Sequence, residues 1–297
     1  MNWKGVLLTI LAIVLVSSTG YSQPNILSAK QPEEIGVKTA AQIEADHDSP
    51  LPYGYVGDRD ILWSKTVWEA IDLDERINFP FYYPVDTVGI GADRRSLYDV
   101  LVKNIKNGTL SEIYTDSYFT EKRNFADLQA TLVKVDTTDL GYEQLNAGEQ
   151  ISPEYINRRD LTAADIEKWH IKGIWYFDKR QGELKYRLLG LAPVAPDVNF
   201  IDTDNQDLVE LFWVWFPGAR ELLHEARVFN RKNTAAPISY DQLLNARRFN
   251  AYVYKVDNVY GDREIVEYIP ENALFQLLEA QRLKERLRDK EQDMWSY

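Results

Sequence analysis

The sequence contains no cysteine, only three histidines, and fewer basic than acidic residues. Without cysteine, it can form no disulfide, no thiolate zinc site, no iron–sulfur cluster and no cysteine nucleophile. The histidines are not spaced as metal ligands, since a helical zinc motif starting at His224 would need a second histidine where Val228 stands. With 34 Lys and Arg against 46 Asp and Glu, the net charge of −12 argues against a nucleic-acid partner. We therefore expect no metal, no cofactor and no nucleic acid.

The signatures of nucleotide binding and nucleophilic catalysis are missing as well. The sequence has no G-x-S-x-G elbow, no phosphate-binding P-loop and no S-x-x-K motif. Paired carboxylates remain the one open route, because a glycosidase needs two acids across a cleft and aromatic side chains that stack on sugars. Glu210 is the natural acid, but the sequence indicates no second acid to pair with it.

Four aromatic residues could supply such stacking: Trp175, Tyr176, Trp213 and Trp215. They alternate along predicted strands, where aromatic side chains usually fill a core or an interface. We therefore expect them to be core or interface residues, and we expect the chain to be no enzyme and to have no small-molecule substrate. A periplasmic peptidoglycan- or glycan-binding protein, or a weak glycosidase, is the alternative.

The first 22 residues have the pattern of a secretory signal peptide. Lys4 supplies the positive charge, and an apolar stretch follows over Val6–Val16. Eleven helical residues rise about 16 Å, well short of the roughly 30 Å of a bilayer core, so an uncleaved membrane anchor is the less favoured alternative. Cleavage between Ser22 and Gln23 would leave a net charge of −13, and we expect the mature chain in the periplasm.

Two regions follow the signal peptide. Residues 23–57 are rich in proline, glycine and acidic side chains, which predicts a flexible N-terminal tail. This tail is either a passive spacer or a segment that becomes ordered on a partner. Residues 58–297 have the hydrophobic patterning of a globular domain, within which the polar stretch 139–153 is predicted to be flexible and to mark a boundary between two sublobes.

Hydrophobic spacing predicts the elements in the first half of the globular domain. Apolar residues from Trp63 to Ile71 favour a helix within 58–77, although their alternation would also suit a strand. Two prolines make 78–84 a loop. Apolar residues at every fourth position predict a helix over 96–106.

The second half is richer in strand signals. The runs 171–178 and 183–192 flank a four-residue turn and predict a β-hairpin. Residues 208–216 are nearly all apolar and predict one strand that is covered on both faces. The remaining predictions are helices over 163–169, 220–228 and 240–247, strands over 249–256 and 264–269, and a long C-terminal helix opened by Pro270. The expected fold class is α+β, with mixed helices, mainly antiparallel strands and a long C-terminal helix.

The order and spacing of several segments resemble the family of the gliding-motility protein GldN, also called PorN, of Bacteroidetes. The segments that carry the resemblance are Trp175–Asp178, Arg187–Pro193, Glu210–Pro217, Val228–Asn233, Asp257–Tyr260 and Asp293–Trp295, with the earlier stretch Asn78–Pro84. The resemblance runs from about Asp60 to Tyr297, and none of these segments encodes chemistry.

The resemblance implies a periplasmic component of the type IX secretion system and the gliding machinery. Members of the family form rings, with several copies of the chain, on the inner side of the outer membrane together with a lipoprotein of the GldK/PorK type. They also contact the inner-membrane motor subunit of the GldM/PorM type. No catalytic residue belongs to the family pattern, so none is carried over to this sequence.

Overall fold

The computed structural model describes residues 48–86, 88, 94–148, 150–200, 207–230, 233 and 238–295, together with residues 31 and 44. The predicted signal peptide, its cleavage site at Ser22 and Gln23, and most of the predicted tail lie outside these residues. The chain divides into two units, Met1–Ser49 and Pro50–Tyr297, and every element below belongs to the second. Within the described ranges, no helix has the length and apolar character needed to cross a membrane.

The described residues form eleven strands. They are β1 Ile61–Asp72, β2 Ile113–Tyr114, β3 Val133–Thr137, β4 Ile156–Asp160, β5 Lys168–Asp178, β6 Glu183–Pro196, β7 Leu208–Glu210, β8 Trp213–Trp215, β9 Arg227–Val228, β10 Ile238–Ser239 and β11 Tyr252–Val256. Seven of them make one sheet in the order β11–β1–β5–β6–β8–β2, with β7 also paired to β6. All strand pairs in this sheet are antiparallel.

Eight α-helices accompany the strands in the same described residues. They are α1 Phe79–Tyr82, α2 Leu97–Lys106, α3 Phe125–Leu132, α4 Asp139–Asn146, α5 Phe216–Glu225, α6 Tyr240–Asn245, α7 Ile265–Tyr268 and α8 Ala273–Trp295. The predicted α+β class with mainly antiparallel strands and a long C-terminal helix is therefore confirmed.

Local signals in the sequence fix several of these elements. The Ser96 hydroxyl accepts the backbone N–H of Asp99 at 3.2 Å and so caps α2, which confirms the helix predicted over 96–106. The predicted hairpin is confirmed as β5 and β6, which pair from Asp178–Glu183 onward. Gly182 closes their turn at φ 65°, in the left-handed region that glycine enters without steric cost.

The two faces of the sheet are covered differently. On β5, Trp169 and Ile171 are buried in the main core, which also contains residues of α2, α5 and α6. Side chains alternate along a strand, so His170 and Lys172 lie on the other face, called the second face below. A buried apolar cluster on this second face consists of Trp68, Ala192 and Trp213.

The long helix α8 packs on one end of the sheet. Ala280, Leu283 and Leu287 are its buried residues, and their spacing places them on one side of the helix. They contact a cluster that includes Val67 of β1 and Val253 of β11. The helix is therefore attached to the sheet through the middle of its length.

The predicted helix within 58–77 is wrong, and the strand alternative is right. β1 lies between β11 and β5, and Val67–Ile71 are buried without interruption. A strand that is covered on both faces loses the alternating pattern by which half-exposed strands are recognised. The spacing of the aromatic and aliphatic residues in this segment therefore resembles that of a helix, although the segment is a strand.

The single strand predicted over 208–216 is divided into β7 and β8. Between the pairs Val194–Glu210 and Leu191–Val214 the register on β6 shifts by one residue, so that Leu211 and Phe212 lie between the two strands, as in a β-bulge. Phe216 already begins α5, whose first turn tolerates the following proline.

Other predictions also need correction. The segment 264–269 forms the single turn α7 instead of a strand, since Ile265 and Ile269 are one helical turn apart and both pack toward α8. The stretch 78–84 contains the single turn α1, because a proline is compatible with a first turn. The stretch 139–153, expected to be flexible, contains α4, while the sublobe boundary itself stays a prediction. The helix predicted over 163–169 is a short 3-10 helix at Ala163–Asp165, after which β5 begins.

Candidate functional site

The four predicted aromatics do not form one surface. Trp213 and Trp215 alternate with Val214 and lie on the second face, where Trp213 is fully buried. Trp175 instead contacts the ring of Tyr186, with centroids 5.0 Å apart, and Tyr176 is buried elsewhere on the same strand. Trp213 and Tyr176 are thus buried within the domain, and the interface role of the four aromatics stays a prediction.

Glu210 is the centre of a polar cluster on the second face. His170 Nδ1 donates to Glu210 Oε1 at 2.6 Å, because a carboxylate can only accept. The indole N–H of Trp213 donates to Glu210 Oε2 at 2.7 Å, and the hydroxyl of Tyr254 donates to Oε1 at 3.4 Å. The rings of His170 and Tyr254 are stacked with their centroids 4.4 Å apart, so all four side chains hold one another in position.

The electrostatics of this cluster favour the charged form of Glu210. Burial raises the pKa of Glu210, but the hydrogen bonds from His170 and Trp213 outweigh that effect and hold the pKa below its ordinary value. Burial, together with the nearby Glu210 charge, raises the pKa of Tyr254 far above its ordinary value. At neutral pH Glu210 is therefore a carboxylate, and the Tyr254 hydroxyl keeps the proton that it donates.

A second cluster on the same face surrounds Lys172. Its ammonium group donates to the carbonyl of Ser117 at 2.8 Å and lies 4.8 Å from the ring centre of Trp68 and 4.6 Å from that of Tyr118. Burial is the main cause that lowers the pKa of Lys172, and the neighbouring Lys255 adds to it. The aromatic rings supply the cation–π attraction that compensates for the lost water.

The loop that follows β2 covers this cluster. Tyr118 donates to a carboxylate oxygen of Asp262 at 2.9 Å, and burial with this hydrogen bond raises the pKa of Tyr118 to about 12. Phe119 packs edge-on against Trp215 at 4.8 Å and takes a backbone φ of 60°, which is unusual for a residue with a side chain. The Phe119 ring occupies the space that a Cβ atom at position 190 would need, and glycine at that position leaves this space open.

Two features around Glu210 bear on the glycosidase alternative. Glu210 accepts hydrogen bonds from three side chains of its own fold, and the buried ring of Trp213 cannot stack on a sugar. Burial raises the pKa of Glu264, and the charge of Glu210 raises it further, so the two carboxyl groups interact electrostatically. Glu264 lines a groove of which Glu210 is not a lining residue. Among the described residues, no three His, Asp or Glu side chains come close enough together to bind a metal ion.

Sequence reasoning found Glu210 and Trp213 but missed their partners. His170 and Lys172 are polar residues that alternate with Trp169 and Ile171 in β5, and this alternation was the available signal. Tyr254 lies on β11, far away in the sequence, so its contact with Glu210 depends on the strand order β11–β1–β5–β6.

The described residues form an α+β domain built on one antiparallel sheet. The polar side chains of the candidate site mainly form hydrogen bonds with one another. A family model described as "Gliding motility associated protein GldN" matches residues 56–296, and the chain belongs to that family. It is thus a component of the gliding-motility machinery. No curated protein matches the chain.

Proposed function

We propose that this chain is a non-enzymatic scaffold subunit of the type IX secretion and gliding-motility machinery. In this proposal, several copies form a periplasmic ring with an outer-membrane lipoprotein of the GldK/PorK type. The same ring contacts an inner-membrane motor subunit of the GldM/PorM type. The match of residues 56–296 to the GldN family carries the proposal.

The polar cluster on the second face supports a structural role. A catalytic carboxylate has to reach its substrate, whereas Glu210 already binds His170, Trp213 and Tyr254. Lys172 is similarly held by Ser117 and by aromatic rings. Such hydrogen-bonded networks rigidify a domain, which suits a subunit that has to present fixed surfaces to its neighbours.

The location follows from the predicted signal peptide and is part of the proposal. Export would remove residues 1–22 and place the mature chain, beginning at Gln23, on the inner side of the outer membrane. Mass spectrometry of the chain purified from the periplasmic fraction measures this start directly. A chain that still begins at Met1, or that stays in the cytoplasm, would contradict it.

The assembly is tested with the mature chain, the lipoprotein and the periplasmic region of the motor subunit. We expect the mature chain to co-elute with the lipoprotein on gel filtration at micromolar concentration, and to bind the motor region in a separate titration. Independent migration in both experiments would overturn the proposal. Pelleting with purified cell-wall sacculi, followed by release of sugar fragments, would favour a glycan-directed function instead.

A further inference from the structure

The junction between α7 and α8 exposes an unusual number of large apolar side chains. Six of them occur within the thirteen residues from Val266 to Leu278, and all but Tyr268 are more than half exposed. They are Val266, Tyr268, Leu274, Phe275, Leu277 and Leu278, and we call them the α7–α8 surface. Single exposed apolar residues are common, but clustered ones usually mark a contact site.

The domain itself does not use these side chains. α8 is attached to the sheet by Ala280, Leu283 and Leu287. Leu274 and Leu278 fall on the opposite side of the helix, since each residue advances by about 100° around the axis. The first two turns of α8 therefore present an apolar side that has no partner in the described part of this chain.

A groove lies directly beside this surface. It has a volume of about 380 Å³ and runs between α7, α8 and β11. Leu277 and Val266 line it from the helices, and Tyr252 and Tyr254 line it from the strand. A partner that covers the exposed leucines can therefore also insert a side chain between the helices and the sheet.

The charge around the surface selects the kind of partner. Residues 262–281 contain five acidic side chains and one basic one, Arg263, which lies 3.5 Å from Glu267. Further along α8, Arg282 and Arg286 lie 3.4 and 3.7 Å from Glu279, so the excess of negative charge lies on the α7 side of the surface. The predicted tail, residues 23–49, contains five acidic residues and two lysines, and the whole chain carries −12. The chain's own tail and an anionic lipid surface would each bring further negative charge, whereas a basic segment would be attracted.

We infer that the α7–α8 surface is the docking site for a basic amphipathic segment of a partner protein. That segment presents large aliphatic or aromatic side chains to Leu274, Leu277 and Leu278, with lysine or arginine beside them facing Glu267 and Glu271. The inference rests on the proposed function as an assembly subunit, and it names the surface and the chemistry through which one partner is held.

The test uses the mature chain and two synthetic amphipathic helical peptides that share the same leucine positions. One peptide carries lysine at its polar positions and the other carries glutamate. We expect the lysine peptide to bind, and to lose affinity about tenfold or more when Phe275→Ala and Leu277→Ala are combined, or when Glu267→Lys and Glu271→Lys are combined. Its affinity should also fall as salt is added.

A matched control comes from another exposed helix. Leu140 and Leu145 of α4 are exposed to a similar degree, so Leu140→Ala with Leu145→Ala should leave peptide binding unchanged. Equal effects of both double alanine variants, or equal binding of the glutamate peptide, would overturn the docking site. Because all substituted residues are exposed, the melting temperature of each variant should match that of the wild type.

Experiments with whole partners separate the docking site from the function. If the lipoprotein and the motor region bind the wild type and the α7–α8 variants equally well, the docking site is wrong and the assembly function stands. If the wild type binds neither protein, the proposed function is wrong, and the peptide experiment still tests the docking site.

A photo-cross-linker at Leu278 gives an independent measure in cells: cross-links to a Lys- or Arg-containing segment of a partner support the docking site. Cross-links to residues 23–49 or to a second copy overturn it.

Discussion

Arg220 and Asp241 form a buried ion pair in which Nε and Nη2 of the arginine donate to the two carboxylate oxygens at 2.8 and 3.1 Å. The pair joins α5 to α6 on the main-core side of the sheet. Nη2 also donates to the carbonyl of Leu51 at 2.7 Å, so the same side chain holds the start of the second unit. Two helices and an incoming segment therefore depend on one guanidinium group.

Replacing Arg220 with alanine should cost about 3–5 kcal/mol in the free energy of unfolding, because it leaves the buried Asp241 charge without its partner. Arg220→Lys should restore only part of this, since an ammonium group cannot bind both carboxylate oxygens in the same geometry. Urea unfolding monitored by circular dichroism measures both. Arg263→Ala is the control: its pair with Glu267 is about half exposed, and the change should be about 0.5 kcal/mol or less. Equal losses at the two arginines would contradict this account.

Trp213 and Trp169 provide a matched pair for the polar cluster. Both are fully buried, but only Trp213 donates its indole N–H to Glu210, whereas that of Trp169 has no acceptor in the described residues. Trp213→Phe should therefore be more destabilising than Trp169→Phe by about 1 kcal/mol, the net contribution of one hydrogen bond, since His170 and Tyr254 still donate to Glu210. Differential scanning calorimetry checks the order.

Trp213→Asp tests whether this residue belongs to the core at all. A buried unpaired charge should unfold the domain. If the variant keeps its circular dichroism spectrum and melting temperature but loses partner binding, Trp213 is a contact residue and the packing described above is wrong.

Glu210 and Glu264 should affect the pH dependence of stability in opposite directions. Burial raises the pKa of Glu210, but its hydrogen-bond donors outweigh this effect and lower the pKa in the folded state. The carboxylate therefore stabilises the fold at pH values above its ordinary pKa. This stabilisation is lost as the pH falls through the lowered pKa. Burial raises the pKa of Glu264, so its contribution is present below the ordinary pKa and is lost as the pH rises through the raised value.

These signs are checked with two glutamine variants unfolded in urea between pH 3 and 8. At pH 7, Glu210→Gln should be less stable than the wild type, and Glu264→Gln should be more stable. Both differences should shrink toward the acid end, where the wild-type carboxyl groups are protonated. Changes of the same sign at pH 7 would rule out the assigned environments.

Gly190 and Phe119 make a further prediction about the covering loop. A Cβ atom at Gly190 would overlap the Phe119 ring and approach the carbonyl of Val214 at 3.1 Å, so Gly190→Ala should cost about 1–3 kcal/mol. Phe119→Leu in the same chain should recover part of the loss by vacating the space. Gly54→Ala is the control, because nothing lies within 4 Å of its Cβ position, and its thermal unfolding should be nearly unchanged. Additive effects of Gly190→Ala and Phe119→Leu would show that the two residues do not compete for space.

The sequence predicted best the elements whose signals are local. The cap at Ser96, the turn at Gly182 and the apolar runs on each side of that turn are each decided within a few residues. The sequence failed where distant partners decide the structure: β1 is a strand because β11 and β5 lie on both sides of it, about a hundred residues or more away. The same reason explains why the sequence predicted only part of the site. Glu210 could be recognised as a candidate acid from the sequence, but its contact with Tyr254 follows only from the order of the strands in the sheet.

A machine that moves a cell has to carry force, and the attachment of α8 decides where that force would go. A partner pulling on the first turns of α8 would transmit tension through Ala280, Leu283 and Leu287 into β11, an edge strand of the sheet, and into Val67 of β1. From there the tension would pass across the hydrogen bonds between β11 and β1. Since the chain has no cysteine to reinforce this route, side-chain packing and one antiparallel ladder would set its mechanical limit.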